Sequence, residues 1–331
     1  MSHEVESMAY AFKEDGAYDE AYSRPWHFNM TGDRSVAVNN DMSPTEMIKA
    51  AKLDWSIERA PMYVEIGDEM IPTNQEYLYR SSDQKLLTQV SENWHEVQPD
   101  AFAEFFHDFC EEGSMEMNTM GSLNDGKMLF ALAKVDESFS LFRGKDVIES
   151  YFLFANPIQY GKSVDYRFTP TRVVCQNTLT LALQGKSADL SLRVNHRKPF
   201  DQDEVKVALG VAKEQLGSYK EAAEYLAGKR FSVDKLKEYY NDVFPRTHKV
   251  KKKLDEIKLT KRGQTAFDCL DTQPGAELGE GSWWQAYNAA TYVVDHKLGN
   301  GEDSRLQSAW FGDGQKAKVR ALNKAIEYAD A

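Results

Sequence analysis

The chain has 331 residues, of which 42% are hydrophobic, 28% charged and 12% aromatic. This composition is typical of a folded globular protein and excludes wholesale disorder. Asp and Glu number 52 against 40 Lys and Arg, so the net charge is −12. A strongly basic nucleic-acid binder of the histone type is therefore excluded, whereas a local basic groove is not.

The cysteines and the amino terminus indicate where the protein works. Cys110, Cys175 and Cys269 are widely spaced and form no metal-ligand motif, so we interpret them as buried thiols of a reducing compartment. The amino-terminal residues include several acids and no apolar run, and no stretch reaches about 18 consecutive apolar residues. The sequence predicts a cytoplasmic protein with no signal peptide, no membrane contact, no metal and no cofactor.

The front of the chain begins with a polar segment, residues 1–40, which we expect to be irregular. A helix is predicted from Ser43 to about Leu53, because Ser43, Pro44 and Glu46 form a capping signature. Alternating or β-branched runs then predict a small meander, with strands at 56–66, 76–80 and 86–90.

A second helix is predicted from Pro99 to Gly113. Its apolar residues follow the helical i, i+3, i+4, i+7, i+8 spacing, which predicts one face buried by Phe102, Phe105, Phe106, Phe109 and Cys110. The turn Asn124-Asp125-Gly126 then predicts a hairpin. Its strands are 115–123 and 127–135, and further strands are expected at 138–141, 147–155 and 166–169. Residues 171–183 have a mixed helix and strand character.

After Pro199 the pattern becomes helical. Helices are predicted over 202–228 and from Ser232 to Val243, followed by three helical pieces beyond Thr247. Strands first and helices afterwards predict an α+β fold, a mainly antiparallel twisted sheet with packed helices, followed by a helical C-terminal region. We divide the chain into the irregular segment 1–40, a sheet-containing core at 41–200 and a helical region at 201–331 packed on that core.

None of the strong enzymatic motifs is present: the sequence has no phosphate-binding GxxxxGK[ST] loop, no GxGxxG after a strand, no GxSxG and no HExxH. Nucleotide hydrolysis by a phosphate loop is therefore disfavoured.

Two segments place polar groups in apolar surroundings. In RVVCQNTL, Arg172, Gln176 and Asn177 either satisfy backbone groups at a structural junction or line a polar pocket, because unpaired buried amides are costly. The second segment opens with a capping box at Ser282 and Gln285, and its helix carries Trp284, Asn288, Thr291 and Asp295 on one face. We expect Gln176, Asn177, Asn288 and Asp295 to share a hydrogen-bond network, with Arg172 or His196 at its edge. Arg305, Trp310 and Arg320 are the candidate partners of Asp295.

Two segments are basic. Strand alternation puts Arg193 and Arg197 on one face and His196 and Lys198 on the other. Residues 246–262 carry eight Lys and Arg against two acids, a net +6 that includes Lys251, Lys252 and Lys253. Cations beside aromatic rings suit single-stranded nucleic acid, and Arg193, Arg197, Lys198, Lys251, Lys252 and Lys253 are the candidate contacts. The alternative is a solvated edge strand and a solvated helix face.

Several blocks together resemble a known family. RPWH, AAKLDW, GSLNDGKMLFALAKV, FTPTRVVCQNTLTLAL, VNHRK and SWWQAYNAATYVVDH followed by SAWFGDG are similar, in this order, to the phage/plasmid-like family catalogued as domain of unknown function 932. The resemblance covers residues 24–325. Relatives often have Gly where Phe28 stands here, and usually Gly at the position of Lys52.

The resemblance implies a gene carried by bacteriophages, prophages or plasmids, often near genes for DNA replication, recombination or anti-restriction. It supplies no catalytic residues. We expect a non-catalytic accessory to DNA metabolism that binds single-stranded nucleic acid, as a homo-oligomer that anneals strands, with host or phage replication and recombination proteins as further partners. One alternative is an enzyme or nucleotide-binding protein whose pocket uses the RVVCQNTL and NAATYVVDH blocks. A second alternative is an inhibitor of a host defence or host enzyme.

Overall fold

The structure is a computed structural model of the full chain. It describes residues 7–12, 35–39, 42–159, 165–172, 177–178, 181–182, 202–246, 258–299 and 302–331.

The centre of the fold is an eight-stranded sheet. The order of its strands is β10-β9-β8-β7-β6-β1-β2, and β11 also pairs with β9. All of these pairs are antiparallel except β1 with β2, which is parallel. The strands are β1 Ser7–Phe12, β2 Ser35–Asn39, β6 Glu116–Leu123, β7 Met128–Leu141, β8 Asp146–Pro157, β9 Asp165–Arg172, β10 Asn177–Thr178 and β11 Leu181–Ala182.

A second sheet is the predicted meander. It consists of β3 Ile57–Ile66, β4 Glu69–Arg80 and β5 Leu86–Ser91, in that order. Strand β4 begins seven residues earlier than its pattern predicts, because its first residues pair with the end of β3, from Tyr63 to Ile66. Ahead of this sheet lies α1, Pro44–Ala50. Its predicted capping box is confirmed, since the Ser43 hydroxyl accepts from the backbone N–H of Glu46 and the Glu46 carboxylate accepts from that of Ser43.

Helix α1 ends in a Schellman motif with an unusual residue. The backbone N–H of Leu53 donates to the carbonyl of Ile48, and that of Lys52 donates to the carbonyl of Lys49. Lys52 therefore occupies the position that normally holds glycine, with a φ of 56° in the left-handed region. Glycine adopts this conformation without the steric cost that a side chain brings.

Helix α2, Pro99–Glu112, packs its phenylalanine face on the sheet. The ring of Phe109 lies 4.7 Å from that of Phe154 on β8, edge to face, and the ring of Phe106 lies 5.3 Å from it. Phe102, Phe106, Phe109 and Cys110 are buried as predicted, while Phe105 is only partly buried. The helix ends with Gly113 as its C-cap, but the left-handed residue is Ser114, with a φ of 50°.

The helical C-terminal region covers both faces of the sheet. On the face that contacts α2, Tyr219 packs against Phe139 with ring centroids 5.9 Å apart. On the opposite face, Trp310 packs 5.2 Å from Phe130 and forms a small separate core. The helices are α3 Gln202–Gly228, α4 Val233–Val243, α5 Lys261–Asp268, α6 Trp283–Tyr292, α7 Glu302–Phe311 and α8 Asp313–Asp330, with a 3₁₀ turn at Ala276–Gly279 and a π-helical turn at Val293–Lys297.

The predicted α+β class is confirmed, and so is the mainly antiparallel pairing. Strands β1 and β2 lie within the segment expected to be irregular: β1 pairs with the distant β6, and β2 pairs with β1. Strand β7 continues through an irregularity between Val135 and Phe139, so two predicted strands are one. Within residues 171–183, the described pieces are strands. None of the helices in the described ranges is long and apolar enough to span a membrane.

Candidate functional site

The structure brings the two predicted polar segments towards each other at the level of the backbone. Asn177 on β10 pairs with Arg172 on β9, which in turn pairs with Ile148 on β8. Strand β10 lies against α6, the helix that carries Asn288. Gln176 and His196 lie outside the described residues, as do Arg193, Arg197, Lys198, Lys251, Lys252 and Lys253. The shared network of Gln176, Asn177, Asn288 and Asp295 therefore stays a prediction.

The polar face of α6 and of the π-helical turn that follows it is turned towards the protein interior. Trp284, Asn288, Thr291 and Asp295 are each at most 2% exposed. The indole N–H of Trp284 donates to the carboxylate of Asp146 at 2.9 Å, which ties α6 to the start of β8. The amide of Asn288 donates to the Trp284 carbonyl one turn earlier at 2.8 Å, and the Thr291 hydroxyl donates to the Asn288 carbonyl. These groups thus have hydrogen-bond partners within the fold.

Ser282 is the N-cap of α6, as predicted, with its hydroxyl accepting from the backbone N–H of Gln285. The reciprocal half of the capping box is different, because the Gln285 side chain accepts from the backbone N–H of Gly281 instead of that of Ser282. The amide group of Gln285 also donates to the Leu270 carbonyl and to the Asp271 carboxylate. Gln285 therefore joins the start of α6 to the loop after α5.

A buried ion pair closes this polar region. Asp295 lies in the π-helical turn after α6, and its carboxylate accepts from the ammonium of Lys318 on α8 at 2.8 Å. Both side chains are fully buried. Burial lowers the pKa of Lys318 below its ordinary value, and the neighbouring Asp295 opposes that shift. The pair thus ties the π-helical turn to α8.

Lys318 is a residue that the sequence analysis missed. Arg305 and Arg320, two of the candidate partners of Asp295, donate instead to the backbone carbonyls of Leu298 and Val243. The signal for Lys318 lies in the periodicity of α8, where it shares the buried stripe with Ala317 and Ala321. A single lysine on an apolar helical stripe predicts a buried acidic partner, because an unpaired buried ammonium is costly.

A basic surface lies where α4 and α5 meet. We define it by four exposed cations, Arg246, Lys258, Lys261 and Arg262. The connection is held in place because the Thr260 hydroxyl donates to the Phe244 carbonyl and the Thr260 backbone N–H donates to Asn241. Thr260 also caps α5, and Lys261 and Arg262 occupy its first turn. In the sequence, Arg246 directly precedes residues 247–257, and Lys258, Lys261 and Arg262 follow them. Residues 247–257 lie outside the described residues and contain the predicted contacts Lys251, Lys252 and Lys253.

Other concave and ligand-like features lie apart from both regions. A groove of about 680 Å³ lies beside the Asn124-Asp125-Gly126 turn, and its lining residues include none of the predicted pocket residues. On α2, the nitrogen and carboxylate oxygen atoms of His107, Asp108 and Glu111 that could bind a metal ion lie within 4.8 Å of one another on a largely exposed face. His107 lies 3.6 Å from the carboxylate of the adjacent Asp108 and 3.7 Å from that of Glu111, the latter at the i, i+4 spacing that is common on an exposed helix.

The fold is an α+β fold with a buried polar core between α6, α8 and the sheet. The sequence profile described as "Domain of unknown function (DUF932)" matches residues 86–322 of the chain. The protein therefore belongs to this family. No curated protein and no solved structure matches the chain.

Proposed function

We propose that this protein binds single-stranded nucleic acid through the basic surface, as a non-catalytic accessory to phage or plasmid DNA metabolism. The observation that carries the proposal is the clustering of Arg246, Lys258, Lys261 and Arg262 in a chain of net charge −12. Phosphate groups attract such clusters, and most of the affinity for a single strand comes from contacts of this kind.

The positions of two of these cations favour a bound anion. The first turn of a helix has a partial positive charge from its unpaired backbone N–H groups, so it stabilises acids and repels cations. Helix α5 has Lys261 and Arg262 in that turn and no acid, while its last residue is Asp268. This arrangement opposes the helix dipole at both ends and weakens the helix by a few tenths to about 1 kcal/mol per charge. A phosphate at this surface would reverse that penalty.

A ligand pocket formed by the RVVCQNTL and NAATYVVDH segments is the second candidate, and the contact between β10 and α6 favours it. Asn288 and Asp295 are buried and bonded to Trp284 and Lys318, respectively. A ligand at this place would have to exchange with these bonds, and for this reason the basic surface is the better supported site.

The test is fluorescence anisotropy with a labelled oligothymidine single strand across a series of salt concentrations. The variant K261E/R262E should bind more weakly than the parent. The slope of the logarithm of the binding constant against the logarithm of the salt concentration should be less steep by about 1.4, because each of the two lost phosphate contacts contributes about 0.7. The melting temperature should stay unchanged or rise, because acids in the first turn of α5 suit the helix dipole.

The matched control is K49E/K220E, which makes the same change in net charge at exposed positions of α1 and α3. It should bind nearly as well as the parent. Absence of binding by the parent at low salt, or equal weakening in both double variants, would refute the proposal.

A further inference from the structure

The outer half of the β3–β4 hairpin projects from the fold. Strand β5 pairs with β4 only as far as Gln75, so the hairpin beyond Pro61 and Glu76 is a two-stranded ribbon in the described part of the chain. Five residues separate Pro61 from the tip, a length of about 17 Å at about 3.4 Å per residue. We call this ribbon the arm, residues 61–76.

The arm exposes large apolar side chains on both of its faces. Strand pairing puts Val64 opposite Ile71 and Tyr63 opposite Pro72, with the two pairs on opposite faces. The exposed fractions are 51% for Tyr63, 48% for Val64, 63% for Ile66, 62% for Met70 and 42% for Ile71. A two-stranded ribbon is marginally stable in water, and a cluster of exposed apolar groups marks an interaction site.

The tip of the arm is also acidic. Glu65, Asp68 and Glu69 surround the turn at Gly67, and the sequence has no Lys or Arg between Arg59 and Arg80. A partner must therefore offer an apolar surface that is bordered by positive charge.

A groove with this chemistry is present elsewhere on the same chain. It has a volume of about 740 Å³ and lies between the β7–β8 turn and residues 277–281. Phe142 and Leu278 supply its apolar lining, and the cations are Arg143, Lys145 and Arg230. Two acids, Glu277 and Glu280, also line it, and Arg230 donates to the backbone carbonyl of Glu280. The three cations outnumber the acids, whereas the arm tip has acids alone.

We propose that the arm tip of one copy docks in this groove of a second copy. The exposed fractions of Ile66 and Met70 show that the arm does not fill the groove of its own chain. Because the two surfaces differ, the contact is head-to-tail, and an open assembly keeps one free arm and one free groove, at its two ends, until a ring closes. The proposal does not depend on nucleic-acid binding, since neither surface includes a residue of the basic surface.

Sedimentation velocity over a range of protein concentrations tests the assembly. The parent should form species larger than the monomer. The arm variant I66S/M70S and the groove variant R143E/K145E should each be monomeric at every concentration. The control variant L86S/V233S removes apolar groups that are 56% and 54% exposed outside the arm, and it should assemble like the parent.

Mixing the two defective variants distinguishes a head-to-tail contact from a symmetric one. Each variant keeps one intact surface, so the mixture should form a dimer and no longer species. A second arm variant, D68K/E69K, should likewise regain assembly when it is mixed with R143E/K145E. A parent that stays monomeric overturns the proposal. So does a groove variant that assembles normally, because that result would indicate pairing of two arms.

Discussion

The buried pair of Asp295 and Lys318 allows a quantitative test of the core. At 2.8 Å and an effective dielectric constant of about 20, the attraction between the two charges is about 6 kcal/mol. Removal of both groups from water costs several kcal/mol for each, so the net contribution of the pair is small. Loss of one partner is different, because it leaves a buried charge without its counterion.

We therefore expect D295A and K318M to lower the free energy of unfolding by about 3–5 kcal/mol each. The double variant D295A/K318M should cost no more than either single variant, because it leaves neither charge behind. Urea denaturation followed by tryptophan fluorescence measures all three, with Trp284 buried on the neighbouring helix face. The control is D313A/K316M, which removes a pair on the same helix whose side chains are 96% and 70% exposed and should cost less than about 1 kcal/mol.

The same pair predicts a pH dependence. Burial lowers the pKa of Lys318 in the folded protein below 10.5, the ordinary value that the unfolded chain retains. Between these two pKa values the unfolded state binds more protons, so this group makes the protein more stable as the pH rises towards 10.5. The parent should gain stability relative to K318M over that range. This account of the pair would be refuted if the double variant lost the sum of the two single losses in free energy of unfolding, and if the stability of the parent and of K318M changed equally with pH.

Two further predictions concern packing and the backbone. F106A should lower the free energy of unfolding by about 3–5 kcal/mol and F105A by clearly less, because Phe106 is fully buried and Phe105 only partly. Equal losses of the two variants in urea denaturation would contradict the assignment of the buried face. K52G should raise the free energy of unfolding by about 1 kcal/mol, because Lys52 holds the left-handed position of the Schellman motif. The control K49G places glycine inside α1 and should lower the free energy of unfolding by about 1 kcal/mol. If K52G lowered the stability as K49G does, this explanation would be excluded.

Local patterns predicted much of the fold. The capping residues Ser43, Ser232 and Ser282 stand at the starts of α1, α4 and α6, because an N-cap depends only on groups a few residues away. The phenylalanine spacing of α2 likewise predicted its buried face. Strands β1 and β2 could not be found in this way, because β1 pairs with β6, over a hundred positions along the chain, and β2, among the described strands, pairs only with β1.

The candidate site was predicted less completely. Asn288 on α6 and Asp295 in the π-helical turn after it were found because polar residues at helical spacing interrupt an apolar segment. The partners Asp146 and Lys318 were not, since long-range pairing leaves no trace in local spacing. Lys318 could have been noticed as a charge on the apolar stripe of α8, but the identity of its partner needs the fold.

The charges at the three sites discussed above fall into two physical classes. Asp295 and Lys318 are buried and satisfied by each other, so folding itself accounts for them. Lys261 and Arg262 oppose the dipole of α5, and the acidic arm tip surrounds exposed apolar residues, so neither arrangement helps the isolated chain to fold. Natural sequences depart from local preferences of this kind mainly where a site requires it. We propose that recognition by an outside partner accounts for these two departures: an anion at α5 and a second copy of the chain at the arm.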